Sequence, residues 1–488
     1  MTVVTKGVSA EAVSTKGKLF TISEFRHELG IPLVLARKLL VWGLVEGYLA
    51  VDGTIRITEE ELAKAREILK NPWRKLALFV KSLGPGLVTG ASDDDPGGIG
   101  TYSSVGAAYG FSLLWMAVYL LPLMLAVQES CARIGIVTNR GLAGVLQRHY
   151  RRNVVAMAVI LLIVANVVNI GADLGAMAAS LKLILNVDYA LAAVIFTIII
   201  AAIVIAVPYH IYAKLLKWLT LSVFAYVITG IIIHPDWITI LREAFIPRVT
   251  FEKEYLFAMI AVFGTTITPY LFFWQTSEEV EEGKIEVKES KKLSLHHRIG
   301  RMRTDVRTGM ALANLVFFFI ILSTASVLNA NGVTSINSAE QAAEALRPFA
   351  GDYAFLLFAF GIIGTGLLAV PILAGSGAYA LSEVMKWREG LEYKFSQAKG
   401  FYLIIAFSLV VGLSLNFVGI NPITALYYSA FLNGIIALPL LVAIMIVGDD
   451  ERIMGRETHP GWVKLFGWLA VAFMAVAVVL ALWLNFVK

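Results

Sequence analysis

Apolar residues run through this chain in blocks of roughly 18 to 28 residues, each long enough to cross a bilayer as a helix. About eleven such spans are expected, near residues 84–107, 111–134, 153–181, 189–207, 212–233, 255–276, 306–330, 353–384, 400–418, 421–447 and 462–487. Two of them are interrupted. The first carries Asp93-Asp94-Asp95-Pro96-Gly97-Gly98, three consecutive carboxylates and a helix breaker inside an otherwise apolar stretch. One Asp at the centre of a spanning helix costs about 3 kcal/mol on insertion, so a run of them marks an ion site or a water-lined cavity. Unwound backbone at membrane depth is tolerated only where protein buries it or where it lines such a cavity. Successive helical residues lie about 100° apart, so at most two of these carboxylates reach one ion unless the chain unwinds there.

Five spans later, the sixth reads Phe263-Gly264-Thr265-Thr266-Ile267-Thr268-Pro269-Tyr270, again polar and broken by proline. Asp95-Pro96 and Thr268-Pro269 each offer a capping oxygen followed by proline at a first helical position. Paired breaks at corresponding positions point to a transporter built from inverted repeats, with its site where the breaks meet at mid-membrane. On this reading repeat one covers about 84–233 and repeat two about 255–447, with an eleventh helix after them. A packing kink without a ligand is the alternative for Thr268-Pro269 taken alone.

Composition agrees with the pattern. Hydrophobic residues fill 58% of the 488 positions and charged residues 16%, with a mean hydropathy of +0.74. That places the chain among all-α polytopic membrane proteins. The net charge of +5 is accounted for by loops rich in Lys and Arg after spans two, four, six, eight and ten. These loops and the N-terminus are expected on the cytoplasmic side and the C-terminus outside, in a cell-membrane protein. The single cysteine, Cys131, excludes a disulfide framework or a Cys-based metal motif and reads as a small apolar residue. No secretory signal is expected, because residues 1–75 hold no apolar run of the required kind. No His cluster, nucleophile elbow or phosphate loop argues for an enzyme.

Residues 1–75 read as a separate cytoplasmic domain and 76–488 as the transmembrane one. Ser23 is placed as the cap of a short helix ending near Gly30. A second helix is expected from about Pro32 to Trp42, then strands Tyr48–Val51 and Thr54–Ile57 across an Asp52-Gly53 turn. Thr58-Glu59-Glu60-Glu61 opens a last helix as a capping box. This order resembles the small winged helix-turn-helix of excisionase and MerR-type proteins, with Arg37 and Lys38 as the charges that would face DNA. Glu24, Glu28, Glu60, Glu61 and Glu67 bring the module near charge balance, which argues against a DNA reader and for a regulatory or docking contact.

Gly84-Pro85-Gly86 followed by Asp95-Pro96-Gly97 resembles the first span of the NRAMP divalent-metal transporters, whose motif is Asp-Pro-Gly-Asn. Gln128 through Arg133-Ile134-Gly135-Ile136-Val137-Thr138, Pro235-Asp236-Trp237 and Arg452-Ile453-Met454-Gly455 extend the similarity over about 75–488. The resemblance implies a LeuT-type fold and a divalent cation as substrate, with no cofactor. It also implies an ion held by Asp95, by the Ser92 carbonyl and by groups of span six. Gly98 stands where the family has Asn, Thr265 where it has Ala, Thr268 where it has Met and Tyr270 where it has His. Loss of the thioether leaves hard oxygen ligands suited to Mg²⁺, Ca²⁺ or Mn²⁺. Small Gly98 and Thr268 leave room for a cation that keeps its water, so the chain is closest to the NRAMP-related magnesium transporters. Asp93 and Asp94 either supplement the ligands or bond to free N–H groups of a half-helix. Pro96, Gly97, Gly264 and Pro269 are placed at the breaks, and Tyr270, Asn169 and Asp173 as candidate gating or relay groups, with an interhelical hydrogen-bonding role the preferred reading of Asp173. A phenol ordinarily titrates near pH 10, roughly three units above neutral, so Tyr270 does not replace a histidine and weak or absent proton coupling is expected. An organic-solute transporter with an amine on Asp95, and a membrane sensor with a degenerate transporter domain, are the competing readings. The acidic runs Glu278-Glu279-Val280-Glu281-Glu282 and Asp449-Asp450-Glu451 are read as solvated helix ends.

Overall fold

The computed structural model describes residues 19–30, 36, 39–40, 45, 47–49, 55–70, 85–185, 187–207, 224–288 and 295–486. In the N-terminal part, β1 (Leu19–Thr21), α1 (Ile22–Leu29), β2 (Tyr48–Leu49), β3 (Ile55–Thr58) and α2 (Glu59–Lys70) follow one another. The sheet order is β1-β3-β2. Tyr48 faces Arg56 and Leu49 faces Ile55 in an antiparallel pair; the two strands pair as anticipated, but the register is shifted by one residue from that of a two-residue Asp52-Gly53 turn, which sets Tyr48 against Ile57. Strand β1, pairing Phe20 with Ile57, was not anticipated. It also moves the helix cap. Thr21 Oγ1 accepts the Glu24 N–H at 3.2 Å and Glu24 Oε2 accepts the Thr21 N–H at 2.7 Å. The expectation for Ser23 was two residues late, because the capping residue is the last extended one, where β1 ends. Thr58 Oγ1 accepts the Glu61 N–H at 3.3 Å and starts α2 as expected. The Asp52-Gly53 turn, Arg37 and Lys38 lie outside the described residues. Phe20, Phe25, Leu39, Leu40, Ile57, Leu62 and Ile68 form a hydrophobic cluster of their own.

The remaining chain is helical throughout its described part. Its main helices are α3 (Pro85–Asp93), α4 (Pro96–Tyr109), α5 (Trp115–Thr138), α6 (Leu142–His149), α7 (Arg152–Ile184), α8 (Tyr189–Ala206), α9 (Ala225–Ile232) and α10 (Trp237–Phe245). They continue as α11 (Lys253–Thr266), α12 (Pro269–Lys288), α13 (Leu295–Val327), α14 (Ala354–Met385), α15 (Lys399–Leu415), α16 (Pro422–Asp449) and α17 (Gly461–Phe486). Among the described residues, 8 helices are long and apolar enough to cross a membrane. Spans one and six are each two half-helices, α3 with α4 and α11 with α12. Most of span five, residues 208–223, lies outside the described residues. Ile195, Ile198 and Ile205 on α8 and Leu403, Phe407 and Val410 on α15 turn outward. Such apolar faces at helical spacing fit a lipid surround.

Hydropathy gave no warning of α6 or α10, which are too short to span. Asp236 caps α10 by accepting the Ile238 N–H at 3.1 Å. The acidic run 278–282 departs further from its expected place. Helix α12 continues unbroken to Lys288, so Glu278 and Glu279 sit in its middle and are buried rather than solvated. Their surroundings explain it: Gln275 donates to Glu279 Oε1 at 3.0 Å, Arg298 to the Glu279 carbonyl at 3.1 Å, and Arg301 to Glu282 at 2.7 Å. In the second run Asp450 accepts the Arg452 N–H, and Asp449 lies near His459 and Lys464.

Close helix approach at glycines positions both breaks. A Cβ at Gly90 on α3 would overlap the backbone of Gly309 on α13. One at Gly264 would overlap the Ala430 carbonyl and the Gly434 N–H on α16. Gly264 is therefore a packing residue inside α11, and the break expected there falls three to four residues later, at Ile267 and Thr268. Replacing Gly264 with Ala forces two backbones apart. Such overpacking costs about 1–3 kcal/mol, so Gly264→Ala is expected to melt earlier than the parent in detergent; equal melting temperatures would refute the tight α11–α16 contact.

Candidate functional site

Helix α3 ends at Asp93, Asp94 forms a bend and Asp95 is the extended residue that opens α4. Asp95 Oδ1 accepts the Gly98 N–H at 2.6 Å, and Pro96 occupies the first helical position. The break thus forms as its sequence dictates, a short acidic cap followed by proline. Unwinding at Asp94 and Asp95 releases the run from the 100° spacing of a helix. Asp93, Asp94, Asp95 and Asp173 are all buried.

Asp173 reaches the break from α7. A Cβ at Gly97 would lie 3.0 Å from Asp95 Oδ1 and 3.8 Å from Asp173 Oδ1, so both carboxylates flank the same backbone. Asp173 Oδ2 and Asp93 Oδ1 have no hydrogen-bond partner. Among the described residues no Lys, Arg or His pairs with any of the four carboxylates, and no three of their side chains converge into a ready-made cage.

From the other break, Tyr270 in the first turn of α12 donates its O–H to the Ser92 carbonyl at 2.7 Å and stands 3.3 Å from Asp95 Oδ2. Ser92 is in the last turn of α3, where carbonyls lack helical partners, and its own hydroxyl bonds back to Val88 at 2.8 Å. Thr268 does not cap α12 as expected. Its hydroxyl is buried without a partner, while the Thr268 carbonyl accepts the Leu271 N–H at 3.2 Å. The C-terminal ends of α3 and α11 both arrive at this region, and the negative ends of helix dipoles favour a cation.

The fold has counterparts in known proteins. The profile of the Natural resistance-associated macrophage protein-like (Nramp) family matches residues 86–484. The chain belongs to the Nramp family. It is 25% identical over 409 residues to a divalent metal cation transporter of Klebsiella pneumoniae (strain 342), covering 82% of this chain and 92% of that one. A crystal structure of an Eremococcus coleocola manganese transporter superposes with a TM-score of 0.63 at 20% identity, over 81% of this chain and 84% of that one. The nucleobase-cation-symport-1 transporter Mhp1 in a closed conformation gives 0.50 at 14% identity, over 82% and 92%. These likenesses carry the LeuT-type helical fold.

Within this Nramp fold the residues singled out from the sequence are brought together unevenly. Asp95, Ser92, Tyr270 and Asp173 adjoin one another, and Asp93, Asp94, Gly98, Thr265 and Thr268 are buried in the two breaks. Asn166, three residues before Asn169, donates to the Leu373 carbonyl at 2.9 Å and Ser376 at 2.8 Å, a purely interhelical role. Three residues escaped notice. Tyr102 and Thr266 share a 3.0 Å hydrogen bond that joins α4 to α11. Asp305 on α13 accepts the Gly86 N–H at 2.7 Å and the Leu87 N–H at 3.0 Å, closing the free start of α3. Tyr102 lies seven residues after Asp95, on the same helical face, and that spacing was the available signal. Nothing in the local sequence marks Asp305.

On the cytoplasmic side of the expected topology, a cavity of about 600 Å³ is lined by Arg140, Arg148, Lys284 and Lys386 together with Glu383 and Glu389. Burial and the neighbouring Glu383 push the Glu389 carboxyl up to about 9. This mixed lining makes no acidic funnel.

The unpartnered Thr268 hydroxyl gives a signed prediction. A buried hydroxyl without a partner costs about 1–3 kcal/mol, so the isosteric Thr268→Val is expected to raise the melting temperature of the purified protein. A lower value would mean that the hydroxyl is bonded in the folded protein.

Proposed function

We propose that this Nramp-family divalent-cation transporter holds a hard ion, Mg²⁺ or Mn²⁺, at Asp95 between the two helix breaks and passes it across the membrane by alternating access. The observation that carries this reading is the group of four buried carboxylates at the breaks with no cationic side chain paired to them. In a low-dielectric interior such a group is held only with compensating positive charge. The side-chain donors at the breaks and on α7 beside them are oxygens of Asp93, Asp94, Asp95, Asp173, Thr265 and Thr268, residues 264–270 at the second break carry no methionine, and such oxygen ligands suit hard ions. The naming of the Klebsiella and Eremococcus relatives as divalent metal and manganese transporters supports the substrate class.

The halves 84–233 and 255–447 are read as inverted repeats, with the N-terminus cytoplasmic and the C-terminus outside, supported by the paired breaks and by loop charge. Proton coupling is weak or absent on this reading. Asp173 is the only acidic residue of α7, and α15 carries no acidic or histidine side chain, so a proton on Asp173 finds no carboxylate or imidazole relay along either helix. Residues 1–75 serve as a cytoplasmic regulatory module of winged helix-turn-helix type, supported by their own hydrophobic cluster and hairpin.

Isothermal titration of Mg²⁺, Mn²⁺ and Ca²⁺ against the parent and Asp95→Ala tests the site. Binding lost by at least about tenfold in the variant is expected, about 1.4 kcal/mol. Absence of any metal binding by the parent would instead favour an organic substrate on Asp95. In liposomes, metal uptake is expected without matching acidification of the lumen; acidification in step with flux would overturn the uncoupled reading.

A further inference from the structure

Tyr270 is the one side chain that touches both ligands expected of the first break, and it reaches them from the second. Its ring is 1% exposed and fixed in the first turn of α12 by Pro269. A phenol carries one O–H. Here that proton is directed at the Ser92 carbonyl, 2.7 Å away, while the same oxygen stands 3.3 Å from Asp95 Oδ2. That hydrogen bond occupies one of the two lone pairs of the Ser92 carbonyl and draws charge from the oxygen, which makes it a weaker ligand for an ion at Asp95.

We propose that Tyr270 is a specificity-determining residue: by holding the Ser92 carbonyl in a hydrogen bond it withholds a direct ligand, so the site accepts cations that keep part of their water shell. This deepens the reading of a divalent-cation site at Asp95 and rests on it. Mg²⁺ sheds water reluctantly and binds through few protein oxygens, whereas Ca²⁺ seeks about 6–8 oxygen ligands. A withheld carbonyl therefore disfavours Ca²⁺ more than Mg²⁺.

The test is titration of the full-length protein in nanodiscs with Mg²⁺ and with Ca²⁺, comparing the parent with Tyr270→Phe. The phenyl ring keeps the packing and removes only the hydroxyl. The ratio of Ca²⁺ to Mg²⁺ affinity is expected to rise about tenfold in the variant, the worth of one additional oxygen ligand to the ion that sheds its water. A ratio within about twofold of the parent would reduce Tyr270 to a packing residue. Should the variant fail to fold, Mn²⁺ bound to the parent labelled at its serine carbonyls keeps the question open to measurement. Pulsed magnetic resonance is expected to show retained water on the ion and no direct bond to a labelled carbonyl; a direct bond would overturn the proposal. A parent that binds none of these ions defeats the underlying transporter reading, whereas a parent that binds them with an unchanged ratio in Tyr270→Phe defeats the role of Tyr270 alone.

Discussion

Backbone that leaves the helix inside a membrane has to find its hydrogen bonds within the protein, and the arrangement around Asp94 and Asp95 follows from that requirement. Cutting span one in two exposes the Gly98 N–H and the Ser92 carbonyl; Asp95 itself satisfies the first and Tyr270 from α12 the second, while Asp305 from α13 closes the free start of α3 at Gly86 and Leu87. Two of the three partners come from other helices. The break is therefore where the bundle is tied together.

The chain contains a second buried acidic centre, and the contrast shows what distinguishes a structural carboxylate from a functional one. Glu129 is buried like Asp95, yet its Oε1 receives Arg133 at 2.7 Å and Arg303 at 2.8 Å. Removing one partner of such a pair costs about 3–5 kcal/mol, which is how a bundle is locked. The carboxylates at the break have backbone N–H groups and a phenol instead of guanidinium groups. Dipoles orient a carboxylate without neutralising it, so the remaining charge is available to a mobile cation.

Much of this was legible in the sequence because membrane helices announce themselves locally. Span lengths, the interruption at Asp95-Pro96 and the Asp95 cap depend on residues close together in the chain, and hydropathy with capping chemistry reads them directly. Local rules failed where a neighbour intervened. Ser23 yielded its cap to Thr21 because β1 pairs with β3, and Glu278 and Glu279 were buried because α12 runs on against α5 and α14, with Arg298 and Arg301 of α13 reaching the Glu279 carbonyl and Glu282. Gly264 was placed at a break on composition, but its reason for being glycine lies on α16.

The site itself was half legible for the same reason. Each carboxylate in the hexapeptide could be found by its cost in lipid, and Tyr270 and Asp173 by being polar in apolar spans. What could not be found is which atoms they serve. The contacts that define the site span 175 and 178 residues of sequence, from Tyr270 to Asp95 and to Ser92, and such registers depend on how helices cross rather than on any local preference. A carbonyl is also invisible to residue type. Ser92 looks like a candidate because of its hydroxyl, but that hydroxyl is spent on Val88 within its own helix, and it is the backbone oxygen, tied to Tyr270, that meets the site. Substituting a ligand in a family motif therefore says less about the ion than knowing which hydrogen bond the new side chain makes in its place.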